Sequence, residues 1–338
     1  PRFSNLAITS PINPLLTPRE VRTLLNLVTP RAILILDRLY PRNKTVINGA
    51  GIKHVIHTSV DSFMPNMTRF VYFIKSGFAG KEKKSQSHTL SFDRLYVKDA
   101  VLPHLLITFN DDAVLLFTGG VTGTPKAVLL QHQQLVANVL QTRMWMGSMN
   151  DGQEVILGAL PFSHSYGLTV CHHLSIQSGS MLVLEPRFKT RRIIRLISRY
   201  KVTVFPGVPT MFRAIVNVLE EKNKTLKKIR ICVSGGASLN AKLKKDFEFW
   251  TNSCLLEGYG LTEASPLTHC MPVANPDKTD SIGLPCPNTD ARIMDLKTGR
   301  PVSPNEIGEL QVRGPQVMSG YWQNLKETEL VLKDGWLC

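Results

Sequence analysis

Val114-Leu115-Leu116-Phe117-Thr118-Gly119-Gly120-Val121-Thr122-Gly123-Thr124-Pro125-Lys126-Ala127-Val128 is the stretch on which the reading of this chain turns. Val114 to Phe117 are apolar and partly β-branched, which predicts a short buried strand. Three threonines and three glycines follow around Val121, and the run closes on Pro125-Lys126. Glycines let backbone N–H groups turn toward an anion, threonine hydroxyls add donors, and a lysine supplies charge. Each part suits a polyphosphate. The common P-loop is excluded: it needs Gly directly before Lys and Ser or Thr directly after, whereas Pro125 precedes Lys126 and Ala127 follows it. Composition alone leaves a second reading open, a flexible surface loop rich in small residues.

Composition sets the outer bounds. The 338 residues, 43% of them hydrophobic, allow two or three packed units, since single cores rarely grow beyond about 250–300 residues. No apolar run reaches the roughly 18 residues a membrane span needs, and Pro1 opens no secretory signal pattern. The six cysteines lack paired C-x-x-C spacing, which fits reduced cytoplasmic thiols better than a disulfide frame or zinc site. Cys171-His172-His173 are read as packing residues, because neighbours this close rarely face one ion together. Lys+Arg number 40 against 26 Asp+Glu, a net charge of +14. Arg191, Arg192, Arg195 and Arg199 fall near one helical face, with Ile193, Ile194, Leu196 and Ile197 opposite. A solvated face docked by its isoleucines is the simpler reading; the other is peripheral contact with an anionic membrane surface. Nucleic acid is disfavoured, as no aromatic-studded basic strand or reading helix accompanies the charge.

Along the chain, Thr17-Pro18-Arg19-Glu20 has the form of a capping box with proline at the first helical position. Leu24, Leu25, Leu27 and Val28 supply that helix's apolar stripe, and strands are expected at Ala32 to Leu36 and His54 to Thr58. Strand–helix–strand order implies a parallel sheet. Lys81 to Ser87 reads as a mobile polar loop. Leu129 to Met146 suits a helix. Strands are expected at Val155 to Leu160, Val202 to Phe205, Ile229 to Val233 and Cys254 to Glu257, each followed by a small-residue or proline-rich loop. Short β-rich runs at Ala291 to Met294, Gly308 to Arg313 and Val317 to Trp322 predict a small barrel-like unit.

The order Thr-Gly-Gly-Val-Thr-Gly-Thr-Pro-Lys resembles the phosphate loop of the adenylate-forming superfamily: acyl-CoA synthetases, peptide-synthetase adenylation domains and luciferases. Leu160 to Gly167, Ser234 to Leu239, Gly258-Tyr259-Gly260-Leu261-Thr262-Glu263 and Gly308-Glu309-Leu310 agree with it in sequence. Asn13 to Glu20 looks like long-chain fatty-acyl-CoA synthetases in particular. The resemblance implies an α/β fold of two packed subdomains with mainly parallel sheets plus a small β-barrel-like one. Residues 1–108 would belong to the first, 109–265 to an AMP-binding subdomain, and 266–338 to the β-rich part. It further implies that a family segment precedes Pro1, and that a ribose-binding aspartate, a hinge and a small C-terminal domain with a catalytic lysine follow Cys338.

By the same resemblance, ATP binds Thr118, Gly119, Gly120, Thr122, Gly123, Thr124 and Lys126, together with Gly235, Gly236, Ala237, Glu257, Gly258, Tyr259, Gly260 and Thr262. Tyr259 stacks on adenine, Thr262 lies near the α-phosphate, and Glu263 holds Mg²⁺ with Thr118. His164, Gly207, Val208, Gly235 and Gly258 line the acyl site. Lys126, His164, Thr262 and Glu263 carry the chemistry. The implied activity joins a fatty acid to CoA through an acyl-adenylate, in the cytoplasm or at the inner membrane face. Alternatives are an acyl-carrier-protein acceptor, a different acid, or a non-catalytic nucleotide- or acyl-binding module. Acyl chain length and oligomeric state, a homodimer included, stay open. Two departures matter. Val121 replaces the usual Ser or Thr, a lost hydrogen bond worth about 1.5–3 kcal/mol to a charged group, and Ala127 replaces the usual Gly. Because the resemblance places the ribose-binding aspartate and the catalytic lysine beyond Cys338, this chain is expected to bind ATP weakly and to make little acyl-CoA by itself, and the two departures leave room for altered activity.

Overall fold

The structure, a computed structural model, describes residues 7–65, 67–68, 89–95, 106–118, 124–147, 149–226, 229–274 and 280–338. The expected mobile loop at Lys81 to Ser87 and the departure at Val121 lie outside the described residues. The chain divides into two compact units, one built on residues 12–106, the other on 107–118 and 126–338 with the segment around Thr9.

In the first unit, helix α1 (Pro18–Val28) starts on the expected capping box: Thr17 Oγ1 accepts from the Glu20 N–H, and the Thr17 N–H donates to Glu20 Oε2 at 2.7 Å. Leu24, Leu25 and Val28 face inward. Strand β1 (Ala32–Leu36) runs parallel to β2 (His54–Thr58), joined by helix α2 (Tyr40–Gly49), and β3 (Thr89–Ser91) extends the sheet. Val21, Leu25, Ile35, Tyr40, Val46, Ile47 and Val55 form its core.

The second unit is organised on seven strands. They are β6 (Val155–Gly158), β7 (Met181–Leu184), β8 (Val204–Gly207), β9 (Ile231–Ser234), β10 (Cys254–Gly260), β11 (Leu267–Cys270) and β12 (Leu284–Pro285). Their spatial order is β12-β11-β10-β9-β8-β6-β7, with β10, β9, β8, β6 and β7 parallel. Near-continuous apolar runs produce this because both faces are covered. Leu157, Phe205, Cys232 and Leu255 pack with the helices Thr190–Tyr200, Pro209–Lys222 and Ala241–Thr251. Their neighbours Ile156, Val204, Ile231, Val233 and Leu256 point the other way, into a core with Met146, Val170 and Leu174.

Strands β4 (Asp112–Thr118) and β5 (Lys126–Gln131), antiparallel partners, carry the two described ends of the opening stretch, and β15 (Gly320–Tyr321) pairs with β5. Strands β13 (Asp290–Met294), β14 (Glu309–Arg313), β16 (Leu332–Lys333) and β17 (Trp336–Leu337) make an open antiparallel sheet. Among the described residues it closes no barrel.

Three expectations shift. Leu129–Gln131 continue strand β5, and the helix starts at His132. Val128 and Leu130 are buried by alternation in a strand pair, a pattern that a helix-length apolar run conceals. Strand β8 runs through Pro206-Gly207 rather than stopping before them. Proline is tolerated because β6 pairs with β8 only at Ile156 and Val204, so no ladder bond is required of Pro206 on that side. Of Val317 to Trp322, only Gly320–Tyr321 is strand.

Candidate functional site

The parallel ladder of β8, β9 and β10 stops at one level, where Gly207 pairs with Ser234 and Ser234 with Glu257. Ligands of open parallel sheets bind beyond such carboxyl ends. The Gly235 N–H donates to the Gly207 carbonyl at 3.1 Å. A Cβ on Gly235 would stand 3.0 Å from the Tyr166 ring and 3.4 Å from the Gly258 carbonyl oxygen, so only glycine fits without displacing its neighbours. Gly236 takes φ +80°, a left-handed turn that glycine adopts freely. Gly236 and Ala237 are exposed, and a Cβ on Gly236 would meet only Val208, at 3.8 Å. The Leu239 N–H donates to Glu257 Oε1 at 3.1 Å, which ties the Ser234–Leu239 loop down. Burial raises the Glu257 pKa.

The loop after β6 joins this edge through side chains. The buried Tyr166 hydroxyl donates to the Val233 carbonyl at 2.7 Å. Ser165 and Thr262 hydroxyls lie 3.3 Å apart, and Thr169 Oγ1 donates to the Ser265 carbonyl at 2.7 Å. His164 Nδ1 accepts the Tyr166 N–H at 3.2 Å, which leaves the imidazole proton on Nε2. Although His164 keeps an exposed edge, the protein around it holds its pKa below the ordinary imidazole value by burial. A neutral ring is then a hydrogen-bond donor at pH 7.

Strand β10 continues through Tyr259 and bulges at Gly260 against β11. Tyr259 is 39% exposed, enough for a ring face to take a stacking partner. Two residues on, the turn Thr262–Ala264 lies against both β4 and β5. Thr118 and Lys126 face each other across that strand pair. Tyr321 links the two sides. Its hydroxyl donates to Glu263 Oε1 at 2.8 Å, and Lys126 Nζ sits 4.8 Å from its ring centroid. Burial, then the Glu263 carboxylate, pushes the Tyr321 pKa up, so it stays a donor. Lys126 Nζ also pairs with Glu327 Oε2 at 2.5 Å.

The structure thus brings Lys126, Tyr321, Glu263, Thr262 and Ser165 onto one chain of contacts. Gly119, Gly120, Thr122 and Gly123 lie outside the described residues, and Thr124 is exposed. Tyr321, Glu327 and Ser165 are site residues the sequence reading missed. Ser165 lies in the Leu160–Gly167 motif with no role implied for it, Tyr321 falls within an expected strand, and Glu327 carries no local pattern at all. Mg²⁺ takes oxygen ligands, usually one or two carboxylates plus phosphates and waters. Glu263, in a turn that lies against the strand of Thr118, offers oxygen donors of that kind.

Comparison with known proteins identifies the family. Residues 5–322 match the AMP-binding enzyme family. A long-chain-fatty-acid–CoA ligase of Bacillus subtilis (strain 168) is 37% identical over 329 residues, covering 96% of this chain and 59% of that protein. A 4-coumarate–CoA ligase-like protein of Arabidopsis thaliana is 34% identical over 246 residues, 70% of this chain and 43% of that protein. The crystal structure of a long-chain-fatty-acid-CoA ligase from Archaeoglobus fulgidus superposes with a TM-score of 0.79 at 25% identity, over 97% of this chain and 63% of that one. The chain spans less than two thirds of the length of these relatives. The family match spans residues 5–322 and the fold superposes, and the chain belongs to the AMP-binding enzyme family.

Proposed function

We propose that this chain is the nucleotide- and acid-binding part of an AMP-forming ligase that activates a long-chain fatty acid and passes it to CoA. A fatty carboxylate oxygen attacks the α-phosphorus of ATP, the bond to the bridging oxygen breaks, and pyrophosphate leaves. The CoA thiol, losing its proton, then attacks the carbonyl of the acyl-adenylate, and AMP departs. Such chemistry depends mainly on positioning and charge stabilisation. Lys126 holds β- and γ-phosphate oxygens, Thr262 donates near the α-phosphate, and Tyr259 stacks on adenine. His164, neutral and protonated on Nε2, donates toward the carboxylate. Glu263 with Thr118 would hold Mg²⁺, which when bound would offset phosphate charge.

The observation that carries the reading is the contact chain Lys126–Tyr321–Glu263, which couples the end of the glycine–threonine stretch to the Gly258–Glu263 motif. Long-chain relatives over 96% of the chain favour a fatty acid, and the coumarate-ligase relative keeps a smaller aromatic acid as the second reading. ATP–pyrophosphate exchange by this chain, with saturated fatty acids of graded length and 4-coumarate, tests it. Slow exchange is expected, rising with long acids and lost in Lys126→Ala, with little thioester formed. ATP binding without exchange for any acid would make the chain a nucleotide-binding module instead.

A further inference from the structure

Lys126 already holds an anion. Its Nζ meets Glu327 Oε2 at 2.5 Å while the Tyr321 ring covers another side at 4.8 Å from the centroid. The pair is partly shielded, with the Lys126 side chain 18% and the Glu327 side chain 35% exposed. An ammonium is a compact charge with three donors and no acceptor. A carboxylate in contact and a π-face beside it meet much of that demand before any ligand arrives.

Glu327 is held there by its own scaffold. It lies in the helix Leu325–Val331, whose first turn is capped by Asn324: the Glu327 N–H donates to Asn324 Oδ1 at 3.2 Å. The same turn is tied to β15, because the Tyr321 N–H donates to Thr328 Oγ1 at 2.9 Å. The residue whose ring lies beside Lys126 therefore also anchors the helix that delivers Glu327. A phosphate oxygen reaching Lys126 Nζ would bring a larger negative charge close to the Glu327 carboxylate, and like charges this near oppose one another.

We propose that Glu327 is a built-in counter-ion of Lys126 that an incoming polyphosphate must displace, so that Glu327 sets the affinity of the nucleotide site by competing for its lysine. The inference rests on the reading of Lys126 as a phosphate ligand. It is tested by calorimetry with two probes, inorganic tripolyphosphate and ATP, each with MgCl₂ at low salt, on the wild type, Glu327→Gln, Lys126→Ala and the double variant. Glu327→Gln is expected to tighten both probes about fivefold, the scale of one partly exposed ion pair, and Glu327→Ala to act in the same direction. In the Lys126→Ala background the Glu327→Gln change should vanish. A merely structural role for Glu327 would not tighten binding in any background. Unchanged or weaker binding by Glu327→Gln, with Lys126→Ala still costing affinity, overturns the inference and leaves the Lys126 reading standing. Equal tightening with and without Lys126 means plain repulsion and also overturns it. If Lys126→Ala binds both probes as the wild type does, the reading of Lys126 falls, and this inference with it.

Discussion

Among the described glycines of the candidate site, Gly260 is the most crowded. A Cβ there would overlap the Pro266 carbonyl oxygen, stand 2.7 Å from its carbon and 3.0 Å from Leu267 Cα. The Leu261 N–H donates to that same carbonyl at 3.0 Å, so relief requires moving backbone rather than a side chain. Overpacking of this kind costs about 1–3 kcal/mol. Gly260→Ala is therefore expected to lower the urea midpoint and to weaken ATP binding, since Tyr259 and Thr262 flank the strained turn; an unchanged midpoint would refute the close approach. Ala127 illustrates the opposite case. Its methyl is buried in strand β5 opposite Phe117, and its carbonyl accepts the Trp322 N–H at 2.7 Å. In extended backbone alanine is unstrained, so Ala127 in place of glycine costs no backbone strain at this position.

The helix His132–Trp145 holds β11 by a side chain rather than by packing alone. Asn138, fully buried, donates to the Leu267 carbonyl at 2.7 Å and accepts the Leu267 N–H at 3.0 Å, taking the place of a neighbouring strand. Asn138→Leu would leave a donor and an acceptor unpaired, each costing about 1–3 kcal/mol. A fall of about 2–5 kcal/mol in unfolding free energy with an unchanged denaturant slope is the expected result; a loss below 1 kcal/mol would argue against the bidentate clasp. Elements with a local signal were legible in advance. The Thr17–Glu20 box and the parallel strands at Ala32 and His54 are of that kind, and so is the basic helix. In it Ile193 and Ile197 are buried and Arg192 pairs with Glu185. What escaped depended on distant partners. Leu129–Gln131 became strand because β4 and β15 flank them, and β10 ran past Glu257 because β11 returns beside it. Within the site, the glycine motifs around Gly235 and Gly260 announced close backbone approaches. Tyr321 and Glu327 reach Lys126 from about two hundred residues away in sequence, and no spacing rule records that.

At the scale of the whole molecule, the second unit buries ionisable groups among its strands and helices, and that couples its stability to pH. His173 has its pKa lowered from 6.5 to about 4, first by burial and then by the neighbouring His172, whose ring centroid lies 5.3 Å away. Burial also lowers the pKa of His269, in β11. A histidine lowered on folding is neutral in both states above pH 6.5, where its folded environment costs nothing. Below that, the unfolded chain takes up the proton first, so stability is lost as pH falls from 6.5 toward about 4. At about 1.4 kcal/mol for each pH unit between the two values, His173 alone accounts for roughly 3 kcal/mol of that loss. Urea unfolding at steps from pH 7.5 to 4 should therefore show a steady fall beginning near 6.5. His173→Gln should flatten the slope between pH 6 and 4.5 whatever it does to the absolute stability at neutral pH, because the slope counts protons and the intercept counts contacts. Equal slopes for the wild type and this variant would mean that His173 protonates in the folded chain as readily as in the unfolded one.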